Sequence, residues 1–160
     1  MYKYTLAFLI QGNKVLLINR NKTPWMGSWN GVGGKIEADE QIFYSITREI
    51  KEETDIDINM DHLIYKGTVT WDVFDAQGNG LYLFICRLPE DLDYKTPKVV
   101  AEGILDWKPI DWAIDKKNQG IAKNIPYFLK HALDSKSTYN YHCTFEGDQL
   151  KNVDIKELIK

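Results

Sequence analysis

The chain has 160 residues, 44% apolar and 27% charged, the balance of an ordinary soluble globular protein with material for one continuous core. A net charge of −3 and a pI of about 5.6 leave no global basic field, which argues against stable nucleic-acid binding; a phosphate-bearing ligand would have to be met by local cations or by metal. Cys86 and Cys143 are far apart and lack CxxC spacing, which argues against a disulfide framework and a zinc site and favours two buried thiols in strands.

In chain order, residues 3–10 and 14–20 read as strands joined by a Gly12-Asn13 turn. The apolar stretch 6–10 is too short for a secretory signal, and no run approaches the roughly 18 apolar residues of a membrane span, so a cytoplasmic protein with no membrane partner is expected. Residues 21–35, rich in Gly, Asn, Pro and Trp, read as a structured loop. Residues 39–54 read as a helix, with Ile42, Phe43, Ile46 and Ile50 as its apolar stripe and Asp39 as its N-cap. Residues 63–74 and 81–88 are strand-like, with a hairpin loop at 75–80. Leu105-Asp106-Trp107 suggests a short strand. Residues 121–133 read as a second helix, with Pro126 in its first turn or kinking it, and 138–145 alternate like a strand. His62, His131 and His142 show no triad or metal spacing and read as surface or packing residues. This order of elements predicts an α/β fold: a mixed β-sheet with helices on the outside, as one domain over residues 1–160.

The most informative segment is 34–56. Glu49, Glu52 and Glu53 stand three and four residues apart, so on a helix their directions fall within an arc of roughly 100°. Such crowding destabilises a helix by a few tenths of a kcal/mol, and more so near its C-terminus. A hard divalent cation, Mg²⁺ or Mn²⁺, would compensate. A solvated acidic face, with Arg48 and Lys51 pairing to Glu52 and Asp55, would also account for the helical spacing alone.

The wider spacing decides between them. Gly34, five residues, Glu40, seven residues, Arg48-Glu49-Ile50, one residue, Glu52-Glu53 and then Ile56 resembles the Nudix box and fills every slot but one. Eight such matches arise by chance roughly once in a million. The departure is Asp55 where the family has glycine, at a post-helix position that often needs a left-handed backbone; Asp tolerates that region better than most residues. The resemblance implies the Nudix fold, an α/β/α sandwich, and a loop–helix–loop that binds Mg²⁺ or Mn²⁺. By position, Glu49, Glu52 and Glu53 become ligands, one of them able to act as a base. The Gly33 carbonyl becomes a further ligand, and Glu40 and Arg48 orient the carboxylates.

Beyond the box, Gly27-Ser28-Trp29-Asn30-Gly31-Val32-Gly33-Gly34-Lys35 looks like the approach to the box in MutT-type enzymes, which hydrolyse oxidised purine nucleoside triphosphates. A Gly-rich loop packed around a core tryptophan is the alternative. The resemblance implies that Asn30 bonds the base edge, that Lys35 and Arg20 lie near phosphate, and that Glu102 is an outlying ligand rather than a solvated loop acid. It also implies that Trp71 contacts the base, where core packing is the plainer role. In the mammalian member an acidic pair before the last helix reads the base; Asn118-Gln119 stand in about that region here, and amides present both donors and acceptors. The resemblance points to 8-oxo-dGTP hydrolysis to 8-oxo-dGMP and pyrophosphate by a monomer or homodimer. Rivals are another nucleotide diphosphate, an RNA 5′ end, or a catalytically silent nucleotide-binding regulator.

Overall fold

Residues 6–10 form an unbroken apolar run because the strand that carries them is buried on both faces. The computed structural model describes residues 1–23, 25–72 and 79–159. In chain order these form β1 (Tyr4–Gln11), β2 (Lys14–Arg20), β3 (Trp29–Asn30), β4 (Val32–Lys35), α1 (Ile42–Thr54), β5 (Leu63–Trp71), β6 (Gly80–Arg87) and β7 (Lys98–Val100). There follow β8 (Gly103–Pro109), α2 (Ile110–Ala113), α3 (Ile125–Asp134), β9 (Tyr139–Glu146) and β10 (Gln149–Glu157).

The strands make one mixed sheet in the order β10-β9-β5-β6-β1-β2-β8-β7. The β1–β6 and β5–β9 pairs are parallel and the rest antiparallel. Along β1 the side chains alternate between two cores. Phe8 and Ile10 pack with Val69, Leu83, Phe128 and Tyr141 on the α3 side. Ala7 and Leu9 pack with Leu16, Val32, Ile46, Ile50 and Phe84 on the α1 side. Helix α1 thus lies on one face and α2 and α3 on the other, the α/β/α layering that the resemblance implies.

The sheet forks at β1 and β2. They pair only from Leu9↔Leu16 to Gln11↔Lys14. The other half of β1 pairs with β4, from Tyr4↔Lys35 to Ala7↔Val32, and β2 pairs with β3 at Ile18↔Asn30 and Asn19↔Trp29. The segment read as a loop at 21–35 therefore contains two short strands. They are too short and too glycine-rich to alternate visibly.

Three further boundaries differ from expectation. Asp39 is not the N-cap: it adopts φ 62° in a turn where the Glu40 N–H bonds the Glu37 carbonyl at 3.0 Å, and α1 starts at Ile42 after Gln41. The second helix starts at Ile125, with Pro126 in its first turn. Ile121 instead bridges Trp29, and the Ala122 N–H donates to the Trp29 carbonyl at 2.9 Å, so main-chain pairing holds residues 121–122 out of the helix. Strands β7 and β10 were not foreseen: one has three residues, and the other is an exposed, largely polar edge. The 63–74 strand ends at Trp71, and residues 73–78 of the expected strand and hairpin loop lie outside the described residues.

Asp55 takes the left-handed backbone expected of it, φ 63°, and its N–H bonds the Lys51 carbonyl at 2.9 Å, ending α1 where the family has glycine. Cys86 and Cys143 are free and buried in β6 and β9. His131 Nδ1 meets the Tyr141 hydroxyl at 2.8 Å, a packing role. No helix among the described residues is long and apolar enough to cross a membrane.

Candidate active site

Helix α1 lays Ile46 and Ile50 into the core, and the same stripe, one turn on, carries Glu53 to the fork in the sheet. Glu53 is 6% exposed, and its Oε2 accepts the Gly33 N–H at 3.3 Å. Glu49 sits one turn earlier against β4. A Cβ on Gly34 would stand 2.5–2.7 Å from the Glu49 carboxyl atoms, so glycine there makes room for that carboxylate. Gly33 is constrained differently: a Cβ would overlap the Thr5 carbonyl oxygen of β1.

Arg48 gathers the acids. Its Nε and Nη2 donate to the two Glu40 oxygens at 2.6 and 2.8 Å, a bidentate pair. Its Nη1 donates to Glu49 at 3.0 Å and Glu52 at 3.2 Å, and Nη2 also reaches the Lys35 carbonyl at 3.2 Å. The pairings Arg48–Glu52 and Lys51–Asp55, at 3.2 and 3.0 Å, both form. Glu40 and Glu49 side chains are 13% exposed, Glu52 56%.

The acids consequently titrate apart. Hydrogen bonding to Arg48 lowers the Glu40 carboxyl to about 2. Burial raises Glu49, with Arg48 opposing. Burial, and then the Glu49 charge, push Glu53 up to about 8, against the Gly33 N–H and the Arg20 charge. The charge of Glu102 also raises Glu53, so the fold brings Glu102, Arg20 and Glu53 within electrostatic reach. It does so by pairing Arg20 of β2 with Gly103 of β8, while the Asn21 N–H holds the Glu102 carbonyl at 3.0 Å.

The Glu40–Arg48 pair carries a pH signature. Between about pH 2 and 4.5 the folded state holds fewer protons on Glu40 than the unfolded chain, so stability from this pair is complete above 4.5 and is lost as pH falls towards 2. Glu40→Gln is expected to lower stability by on the order of 1 kcal/mol at pH 7, solvent screening included. The gap to wild type should narrow from pH 5 to about pH 3 in urea titrations. A gap independent of pH would show that the pair does not carry it.

Among the described residues, no three Asp, Glu, His or Cys side chains stand ready-made around a cation position. Glu49 and Glu52 turn to Arg48, and Glu53 to Gly33. The donor chemistry nevertheless fits a hard divalent cation: oxygen donors only, with one carboxylate buried at high cost in its charged form.

The expected substrate contacts come from several elements, of which the ends of β2 and β4 adjoin the carboxylates. Arg20 ends β2 and Lys35 ends β4. Asn30 Oδ1 accepts the N–H of Gly31 at 2.8 Å. Trp71 ends β5, partly buried against the α3-side core. The Asn118 amide is used within its own turn, donating to the Trp112 carbonyl at 2.9 Å and accepting the Gly120 N–H at 2.8 Å. Its neighbour Gln119 instead lines a cavity of about 440 Å³ with Trp25, Met26, Ile121, Lys123 and Phe145. Trp25, Lys123 and Phe145 were not singled out from the sequence, and no local pattern marks them. A second hollow, about 520 Å³ between Ile114, Tyr127 and Lys130, shares no residue with the carboxylate cluster.

Comparison with known proteins gives a consistent picture. The chain is 34% identical over 108 residues to the mouse (Mus musculus) oxidized purine nucleoside triphosphate hydrolase, a match covering 68% of this chain and 66% of that protein. The mutator MutT protein from Bacillus halodurans superposes with a TM-score of 0.75 at 25% identity, covering 97% of each chain. The NUDIX domain of Shewanella oneidensis NrtR, solved with ADP ribose, superposes at 0.65 with 20% identity over 84% of this chain and 87% of that one. The family described as NUDIX domain matches residues 2–128, and the chain belongs to that family.

Proposed function

We propose that the protein is a divalent-cation-dependent nucleoside triphosphate pyrophosphohydrolase, with 8-oxo-dGTP as the leading substrate and nucleotide-pool sanitation as its role. The observation that carries this is Glu53: a carboxylate buried at the fork of the sheet beside Glu49, within reach of the Glu102 charge, on an arginine-braced helix. Such a cluster is costly unless a cation or proton shares it. The name and 34% identity of the mouse relative support the substrate class.

In this reading Glu49, Glu52 and Glu53 hold Mg²⁺ or Mn²⁺, with Glu102 and the Gly33 carbonyl as outer contributors. When bound, the cation offsets charge on the phosphate oxygens and acidifies water. Arg48 keeps Glu49 and Glu52 oriented while its grip on Glu40 fixes the guanidinium. A carboxylate of the cluster takes the proton from the attacking water, the water oxygen bonds phosphorus, the diphosphate bond breaks, and pyrophosphate leaves. Arg20 and Lys35 meet the phosphates. Asn30, Trp71 and Gln119 meet the base, and Asn118 fixes the turn that presents Gln119.

The test is Mg²⁺-dependent pyrophosphate release from 8-oxo-dGTP, dGTP and the other triphosphates at micromolar concentration. A kcat/KM preference for 8-oxo-dGTP of about tenfold or more, about 1.4 kcal/mol at the transition state, is expected. Equal activity across the panel would discard the oxidised-purine assignment. No release from any nucleotide, with a nucleotide still raising the Tm, would favour a binding module.

A further inference from the structure

The 440 Å³ cavity on the α3 side of the sheet has flat apolar walls, Trp25, Ile121 and Phe145, and a polar rim that includes Gln119, Lys123 and Asp148. Its wall is tied through main-chain hydrogen bonds to the end of β2. The Gly27 N–H bonds the Arg20 carbonyl at 2.8 Å, and the Arg20 N–H reaches the Ser28 carbonyl at 3.3 Å, so the loop that walls the cavity hangs from the residue whose charge acts on Glu53. That wall is built under strain. Trp25 holds φ 65°, a region bulky side chains rarely enter, stabilised by the Ser28 N–H on its carbonyl at 3.0 Å. The opposite wall is also fixed, because residues 120 and 122 bond the main chain of Trp29 at 2.8 and 2.9 Å.

Lys123 is the one cation among the described residues that line this cavity. Its Nζ donates to the Asp148 carbonyl at 2.8 Å, which pins the ammonium across the rim between α3 and the β9–β10 turn. An ammonium has three donors and no acceptor, so the pinned group keeps donors to offer and can only be answered by an acceptor. A flat ring with a carbonyl edge answers it directly; a ring with an amino edge sets donor against donor at that position.

Resting on the proposed function, we infer that Lys123 is a specificity-determining residue that selects 6-oxopurine over 6-aminopurine nucleotides by donating to the base carbonyl edge. Asp148, the acid on the same rim, serves through its main-chain carbonyl. The experiment is calorimetric titration of the metal-free protein with 8-oxo-dGMP, dGMP and dAMP, in wild type and in Lys123→Met, Lys123→Arg and Asp148→Asn. Wild type is expected to bind the two 6-oxopurines about tenfold tighter than dAMP. Lys123→Met should bring the three within about twofold of one another, while Lys123→Arg and Asp148→Asn keep the preference. Equal weakening of all three ligands by Lys123→Met, or a preference lost in Asp148→Asn and kept in Lys123→Met, would overturn the inference, as would a wild type that binds the three alike. Pyrophosphate release measured in parallel reports separately on the catalytic reading. Selective binding without turnover of any triphosphate would sink that reading and leave the Lys123 result standing.

Discussion

Glu53→Gln is expected to reduce turnover by about a thousandfold or more, roughly 4 kcal/mol, while the protein folds as before. Glu53 is 6% exposed, and burial pushes its carboxyl up to about 8, so near neutral pH and without metal the protonated acid prevails. Glutamine reproduces the shape and neutrality of that acid, and the metal-free Tm should match or slightly exceed wild type. What glutamine cannot do is supply the negative charge a divalent cation needs. The discriminating measurement is therefore the Tm rise with added Mg²⁺: substantial in wild type, reduced in the variant. Near-wild-type pyrophosphate release by Glu53→Gln would remove Glu53 from the site.

The two neighbouring glycines of β4 should respond in opposite ways to the same added methyl group. At Gly33 the methyl group meets the Thr5 carbonyl, main chain against main chain in a paired strand, and neither can yield cheaply. Gly33→Ala is expected to cost about 3 kcal/mol or more and to lower the Tm by roughly 6–12 °C. At Gly34 the methyl group meets only the end of the Glu49 side chain. That carboxylate can swing aside, so Gly34→Ala should stay within about 1 kcal/mol of wild-type stability yet lose activity about tenfold or more, because Glu49 is displaced. Thermal melts and pyrophosphate release on the pair check this; a Gly34→Ala protein that unfolds as readily as Gly33→Ala would refute the distinction.

The carboxylate helix of this candidate site was more legible in the sequence than its surroundings. Three glutamates at helical spacing behind an arginine can be read directly, and α1 presents them as that spacing requires. The left-handed Asp55 was foreseeable from what aspartate tolerates. Where non-local pairing sets the conformation, local pattern misled. Ile121, Ile125, Phe128 and Leu129 have helical spacing, so nothing nearby reveals that Ile121 is drawn off the helix by Trp29, nearly a hundred residues earlier. That hidden contact also keeps Lys123 out of the helix read over 121–133 and at a cavity rim. Glu102 was reachable only through the family resemblance, because its approach to Glu53 depends on the β2–β8 register. Strand β10 carries its polar residues into solvent and so lacks the alternation that exposes other strands.

The forked sheet also works as a partition. The carboxylates crowd its α1 layer, and the cavity lined by Trp25 and Phe145 opens on its α3 layer. In the proposed reading, bond cleavage and molecular choice therefore fall to different side chains linked through shared backbone. In that reading, the lining around Gln119 and Lys123 can change to suit another ring while the carboxylates around Glu53 keep their places.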